Sequence, residues 1–296
     1  MTPLATHTSL RVGGPADRFV LAHSGQDLAE ALGSGAHVRV IGGGSNLLVS
    51  DDGVEGVVVK VAFNRTTVVD GRVVVAEAGA NFANLARRLA KQDLGGLEWA
   101  ANVPGTVGGA AVNNAGAFGG DTASCLVAVT VVDARGHRAR LEPRELGYAY
   151  RTSVLKRREL GEVAVETVEL HVHACAAGAA QARVSEFNAQ RMRSQPRILS
   201  AGSVFANPEG TFAGKLIEEA GLKGRWVGHA QISEQHANFI VNPGGATAAD
   251  VYALMRRAQD VVFQRTGIWL HPEIELLGRW SEQERFALQG PLVASG

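Results

Sequence analysis

The chain has 296 residues, enough for about two or three compact lobes, and its 46% apolar and 20% charged residues make a soluble globular balance. Its 29 basic and 29 acidic side chains cancel, which excludes a broad nucleic-acid face but leaves room for a local basic pocket around a phosphate. The opening MTPLATHTSLRVGGPADRFV lacks the basic start and apolar run of a signal peptide, and no stretch is long and apolar enough to span a bilayer, so a cytoplasmic protein away from membranes is expected. Cys125 and Cys175 have neither CxxC nor metal spacing, and reading them as reduced thiols predicts no metal site.

In chain order, HVRVI (37–41) reads as a strand running into GGGSNLLVSDDG, and GVVVKV (56–61) as another. TTVVDGRVVVAEAG (66–79) has two β-branched arms about Asp70-Gly71, a hairpin signal. Asn81 caps a predicted helix whose Phe82, Leu85, Ala86, Leu89 and Ala90 share a face. PGTVGGAAVNNAGAFGG (104–120) reads as too glycine-rich for a helix interior. VAVTVVD (127–133) and HRARL (137–141) form β arms around Ala134-Arg135-Gly136, residues 162–173 form a strand, and QARVSEFNAQRMR (181–193) a helix. Residues 197–271 read as a separate α+β lobe, whose helix begins at Thr247 with Asp250 completing a capping box and stops at Gly267. The final SEQERFALQGPLVASG reads as a loosely held tail. Mixed strands and helices predict an α+β fold.

A loop that binds a dinucleotide pyrophosphate must bring backbone N–H groups close to the anion, and side chains obstruct that approach. GGGSN (42–46) and PGTVGG (104–109) offer two such loops, with Ser45, Asn46 and Thr106 as further donors. Either alone is more often a tight turn. The G-x-G-x-x-G spacing of a Rossmann site is absent. Two glycine loops beside strands suggest a cofactor clamped between subdomains.

RVGGPA (11–16), GGGSNLLVSD (42–51), PGTVGGA (104–110), NAGAFGG (114–120), GYAYRTS (147–153), SAGSVFANP (200–208), AGKLIEEAGLKG (213–224), HANFIVN (236–242) and HPEIE (271–275) occur in order. Together they resemble the UDP-N-acetylenolpyruvoylglucosamine reductase (MurB) family over roughly residues 8–278. The resemblance implies an FAD-binding fold of the vanillyl-alcohol-oxidase type in two subdomains, residues 1–62 and 63–195, the latter joined by 272–296, with a substrate lobe at 196–271. It implies FAD as cofactor, NADPH as electron donor and UDP-N-acetylglucosamine enolpyruvate as substrate, reduced to UDP-N-acetylmuramate for peptidoglycan synthesis. A monomer is expected. FAD contacts are implied at Gly42, Gly43, Gly44, Ser45, Asn46, Pro104, Gly105, Thr106, Gly108, Gly109, Asn114 and Gly116.

The family chemistry adds a hydride to the terminal carbon of the enolpyruvyl group and then a proton. Arg151 of YRTS would pair with the carboxylate through its planar fork, Glu273 of HPEIE would hydrogen-bond there, and Ser203 of AGSVF would deliver the proton. Arg193, Asn207, Lys223 and His236 fall at the family's substrate contacts. Two departures stand out: Ala206 where the family often has lysine, and Glu275 where it has a basic residue, with Arg279 the nearest replacement. The tyrosine-bearing inserted loop of one family branch is missing between Arg151 and Arg193, as in the shorter branch. Two alternatives stay open: an alcohol oxidase of the same fold, against which SAGSVFANP and HANFIVN argue, and a catalytically silent flavin- or UDP-sugar-binding protein.

Overall fold

The computed structural model describes residues 2–290. Its contacts divide the chain into two units, one of residues 18–43 and 56–193, the other of residues 1–17, 44–55 and 194 onward. The expected three-part division cuts across these units. Residues 1–17 and 44–55 group with the C-terminal lobe, as does the described part of 272–296; residues 291–296 of that expected segment lie outside the described residues.

The larger unit is built on a five-stranded antiparallel sheet. Its order is Arg138–Leu141, Leu126–Asp133, Val163–His171, Val73–Glu77, Thr66–Val69. The predicted hairpin turns at Asp70 and Gly71, both at positive φ (49° and 64°), the conformation that a tight two-residue connection demands. Val38–Ile41 pairs in parallel with Val54–Val61, which starts two residues earlier than the sequence pattern suggests. Helix Phe82–Ala90 is capped by Asn81, whose side chain accepts from the Asn84 N–H. It buries Phe82, Leu85 and Leu89 in one core with Val129, Val168 and Leu170, and Phe82 meets Trp99 edge to face at 5.5 Å.

Residues 107–113 correct the reading of the second glycine cluster, for Val107–Asn113 is an α-helix despite Gly108 and Gly109. Tertiary packing overrides propensity here. A Cβ on Gly108 would lie 2.7 Å from the Ala78 Cβ, so only glycine lets this helix sit against that strand end. Thr106 caps its start, accepting from the Gly109 N–H, and Asn114 closes it in the left-handed region at φ 45°.

The smaller unit has a four-stranded antiparallel sheet ordered Leu199–Ser200, Ile240–Asn242, Ala230–Ile232, Trp226–Val227. Helix Ala248–Thr266 carries the expected Thr247–Asp250 capping box and ends at Gly267 (φ 72°). Three distant segments are tied in by specific bonds. The Asp51 carboxylate accepts from the Ala248 and Ala249 N–H groups, Asn242 Nδ2 donates to the Leu10 carbonyl, and Glu275–Leu277 pairs in parallel with Leu47–Val49. The tail is not loose over its described part. Glu282–Gln289 is a helix capped by Ser281, and the Leu288 carbonyl accepts from the wholly buried Gln259 (2.8 Å) and from Trp269 Nε1 (3.2 Å). Its one strongly apolar anchor, Leu288, is too little for the sequence pattern to register.

Candidate active site

In the larger unit the two glycine loops meet. A Cβ on Gly43 would fall 2.6 Å from the Gly105 Cα, and one on Gly42 would collide with Thr106 Oγ1, so the loops are packed directly on one another. These glycines first permit loop-on-loop packing. The Val107 and Gly108 N–H groups are committed to the Ala80 and Ala78 carbonyls (2.8 and 2.9 Å), leaving fewer donors for an anion than the glycine count suggests. Gly109 differs, since a Cβ there would find only Thr106 Oγ1, at 3.5 Å. One turn further on, Asn113 donates to the Gly109 carbonyl while its Oδ1 is buried with no hydrogen-bond partner. Open space above Gly109 and an unsatisfied acceptor at Asn113 fit a bound dinucleotide, so the residues present suit FAD. Pro104 opens this loop. Gly44, Ser45 and Asn46 belong to the other unit.

Two residues expected to touch flavin are also engaged with the backbone. Asn46 Nδ2 donates to the Glu273 carbonyl (2.9 Å), and its own carbonyl accepts from the Glu275 N–H (2.9 Å). Buried Asn114 donates to the Ala149 carbonyl and accepts from the Ala123 N–H, both at 3.0 Å. That latch steadies the turn carrying Arg151, itself at φ 58°. The Arg151 guanidinium donates to the carbonyls of Asn114 (3.3 Å) and Gly116 (2.8 Å), which aims the fork before any substrate arrives. Arg193 lies exposed in the last turn of helix Ala179–Ser194.

In the smaller unit Ser203 and Glu273 sit on adjoining segments. The Glu273 N–H donates to the Val204 carbonyl at 2.8 Å and the Ala206 N–H to the His271 carbonyl at 2.9 Å. Buried Asn238 clamps the first of these segments, accepting from the Phe205 N–H (3.0 Å) and donating to the Phe205 carbonyl (2.8 Å). Ser203 lines a cavity of about 520 Å³ with Asn207, Phe212, Lys215, Gln235 and His236. Asn207 Oδ1 accepts from the Ala213 N–H at the start of helix Ala213–Glu219. Burial, then the charge of Lys223, hold the His236 pKa below the usual imidazole value. Its Nδ1 accepts from the Asn238 N–H (3.2 Å), so a neutral ring carries its proton on Nε2. Lys223 pairs with Glu218 at 2.7 Å, and Lys215 with Glu219 at 3.8 Å. The cavity thus gathers Ser203, Asn207 and His236, with Lys223 close to the last.

Phe212, Lys215 and Gln235 escaped the sequence reasoning, although AGKLIEEAGLKG offered the signal: a lysine one residue past the glycine that faces the His236 ring (3.1 Å from a Cβ on Gly214). Arg279, the expected replacement for a basic group at Glu275, is engaged by the Asp17 carboxylate at 2.8 and 2.9 Å.

Residues 16–142 match the family model for the FAD binding domain. With the α+β architecture, that match makes the chain a flavoprotein built on an FAD-binding domain. Residues 194–277 match the model for the UDP-N-acetylenolpyruvoylglucosamine reductase C-terminal domain. Two relatives bearing that enzyme's name extend the likeness along the chain. One, a second such reductase of Symbiobacterium thermophilum, is 43% identical over 93% of this chain and 91% of its own length. The other, of Moorella thermoacetica, is 44% identical over 93% and 92%. The crystal structure of the Thermus caldophilus reductase superposes with a TM-score of 0.81 at 37% identity, covering 93% of this chain and 97% of that one. The chain belongs to the UDP-N-acetylenolpyruvoylglucosamine reductase family.

Proposed function

We propose that this protein uses NADPH and bound FAD to reduce UDP-N-acetylglucosamine enolpyruvate to UDP-N-acetylmuramate, a cytoplasmic step toward peptidoglycan. The observation that carries the reading is the pairing of Ser203 and Glu273 on adjoining backbone segments, with Ser203 lining a cavity that also presents Asn207, Lys215 and His236, in a chain with an FAD-binding domain. In the larger unit FAD would be held at residues 42–43 and 104–109, with Asn113 as a further contact, and when bound it would relay two electrons as hydride to the enolpyruvyl carbon. The chain's own residues do the rest. Arg151, its fork already oriented, would take the substrate carboxylate, into which negative charge spreads during reduction. Glu273 would hydrogen-bond at the same group, and Ser203 would donate the proton that the carbon beside the carboxylate must gain. Lys223 and Lys215 are the cations available to the UDP diphosphate, each releasing a glutamate to take it. Asn207 and neutral His236 would supply uncharged hydrogen bonds.

The experiment is to purify the protein with its flavin and titrate it anaerobically with NADPH. Bleaching of the flavin, and recovery of its colour on adding the enolpyruvyl substrate, support the reading. A protein that cannot be loaded with FAD, or whose reduced flavin is reoxidised only by oxygen, would sink it.

A further inference from the structure

The turn that carries Arg151 breaks a local rule. Ala149 and Thr152 face each other across it, each N–H donating to the other's carbonyl at 3.2 Å, with Tyr150 and Arg151 between them. Arg151 stands third of the four at φ 58°, a conformation that in this place ordinarily selects glycine and that costs any L residue steric energy. A return to the ordinary right-handed region, at φ of about −63°, would turn the chain there by roughly 120°. The Cβ would swing with it, and the guanidinium would leave the carbonyls of Asn114 and Gly116 that aim it. Backbone strain of this kind persists only where the surroundings over-determine it.

Lys156 supplies such a restraint. Its Nζ donates to the backbone carbonyl of Arg151 at 3.1 Å. The lysine is itself anchored: its N–H donates to Ser153 Oγ (3.1 Å), and the wholly buried Ser153 hydroxyl donates to the Val112 carbonyl (2.6 Å). Val112 belongs to helix Val107–Asn113, whose closing Asn114 latches Ala149. The same helix end therefore fixes the turn twice, at Ala149 through an amide and at Arg151 through an ammonium. A lysine gives up much rotamer freedom to hold one carbonyl, and a charged donor binds that carbonyl more strongly than a neutral one.

We propose that Lys156 is a positioning residue for the reaction: by holding the Arg151 carbonyl it keeps Arg151 in the left-handed conformation that sends its fork toward the substrate carboxylate. This rests on the reading of Arg151 as the partner of that carboxylate. Lys156 acts through Arg151, so its loss strikes the step in which Arg151 takes part and spares the reduction of the flavin.

The test uses the FAD-loaded protein and Lys156→Met, which keeps an aliphatic stem and removes the ammonium. Flavin reduction by NADPH should stay within about twofold of the wild type, while reoxidation of the reduced flavin by the enolpyruvyl substrate should slow roughly tenfold, as expected for one charge-assisted hydrogen bond. Lys156→Arg, which restores a charged donor, should recover most of that rate. In an Arg151→Ala background the further change Lys156→Met should cost less than about twofold, because two residues acting through one contact do not add. Hydrogen–deuterium exchange gives a readout that needs no activity: the Thr152 amide should exchange at least roughly fivefold faster in Lys156→Met. Equal losses in both half-reactions would overturn the proposal. So would a full additional loss in the Arg151→Ala background, which would place the ammonium on the substrate itself. If the substrate does not reoxidise the wild-type flavin, the functional reading fails, and the exchange of the Thr152 amide alone then decides whether Lys156 holds the turn, unchanged exchange refuting it.

Discussion

Gly43 and Gly109 carry the cofactor assignment to its most discriminating test, because an added methyl group meets opposite surroundings at the two positions. In Gly43→Ala the new Cβ falls 2.6 Å from the Gly105 Cα, about an ångström inside ordinary contact, and a backbone atom cannot swing aside. Overpacking of this kind costs about 1–3 kcal/mol, and flavin should be lost along with stability. In Gly109→Ala the nearest atom is Thr106 Oγ1 at 3.5 Å, so the protein alone accepts the methyl group. Alanine also favours the helix, and the flavin-free variant should be neutral to about 1 kcal/mol more stable. If flavin approaches the backbone at Gly109, the same methyl group enters its space, and the variant should purify with little flavin. Urea unfolding of the flavin-free proteins reads the first quantity, which removes the stability that bound cofactor adds. The flavin-to-protein absorbance ratio after reconstitution reads the second. Full flavin in Gly109→Ala would refute the placement of the cofactor, and an unchanged unfolding midpoint in Gly43→Ala would refute the tight stacking of the loops.

Asn114→Ala removes two part-buried hydrogen bonds, to the Ala149 carbonyl (which keeps the Thr152 N–H as a donor) and from the Ala123 N–H, and should lower unfolding free energy by roughly 1–3 kcal/mol, measured by urea denaturation; a loss under about 0.5 kcal/mol would mean the latch matters little. His236 has a native pKa below the ordinary imidazole value of 6.5, so the unfolded chain binds its proton first as pH falls. Its contribution to stability is therefore complete above 6.5 and is lost as pH drops from there through the lower native value. His236→Gln should flatten the stability-against-pH curve in that window, and a curve that runs parallel to the wild type would contradict the burial argument.

The sequence made the scaffold largely legible where local signals agree. Asp70-Gly71, the Asn81 cap and the Thr247–Asp250 box each produced the element expected of them. It misled where tertiary contact decides, as at helix Val107–Asn113, whose glycines are kept by the approach to Ala78, a strand end about thirty residues away in sequence. Asn46 and Asn114 read as ligand donors because an asparagine in a glycine loop offers the same groups to a cofactor as to a distant carbonyl, and only the fold reveals the carbonyl. Ser203 and Glu273, seventy residues apart, could be named from their motifs but not brought together, since that depends on the Glu273 N–H meeting Val204. Lys156 lay outside every motif, and its reach to the Arg151 carbonyl exists only in three dimensions.

The proton-donor role of Ser203 within FAD-mediated reduction is the central claim, and rapid mixing under anaerobic conditions tests it most directly. Wild-type protein and Ser203→Ala, both reduced beforehand with NADPH, are mixed with the enolpyruvyl substrate while flavin absorbance is followed. Both should accept electrons from NADPH at similar rates, since the serine hydroxyl has no part in that step. The wild type should then recover its flavin colour quickly, and Ser203→Ala should be slower by the roughly 10²–10⁴-fold that a positioned acid supplies. Reoxidation of the alanine variant at the wild-type rate would remove Ser203 from the chemistry, and a wild-type flavin that stays reduced in the presence of this substrate would contradict the account as a whole.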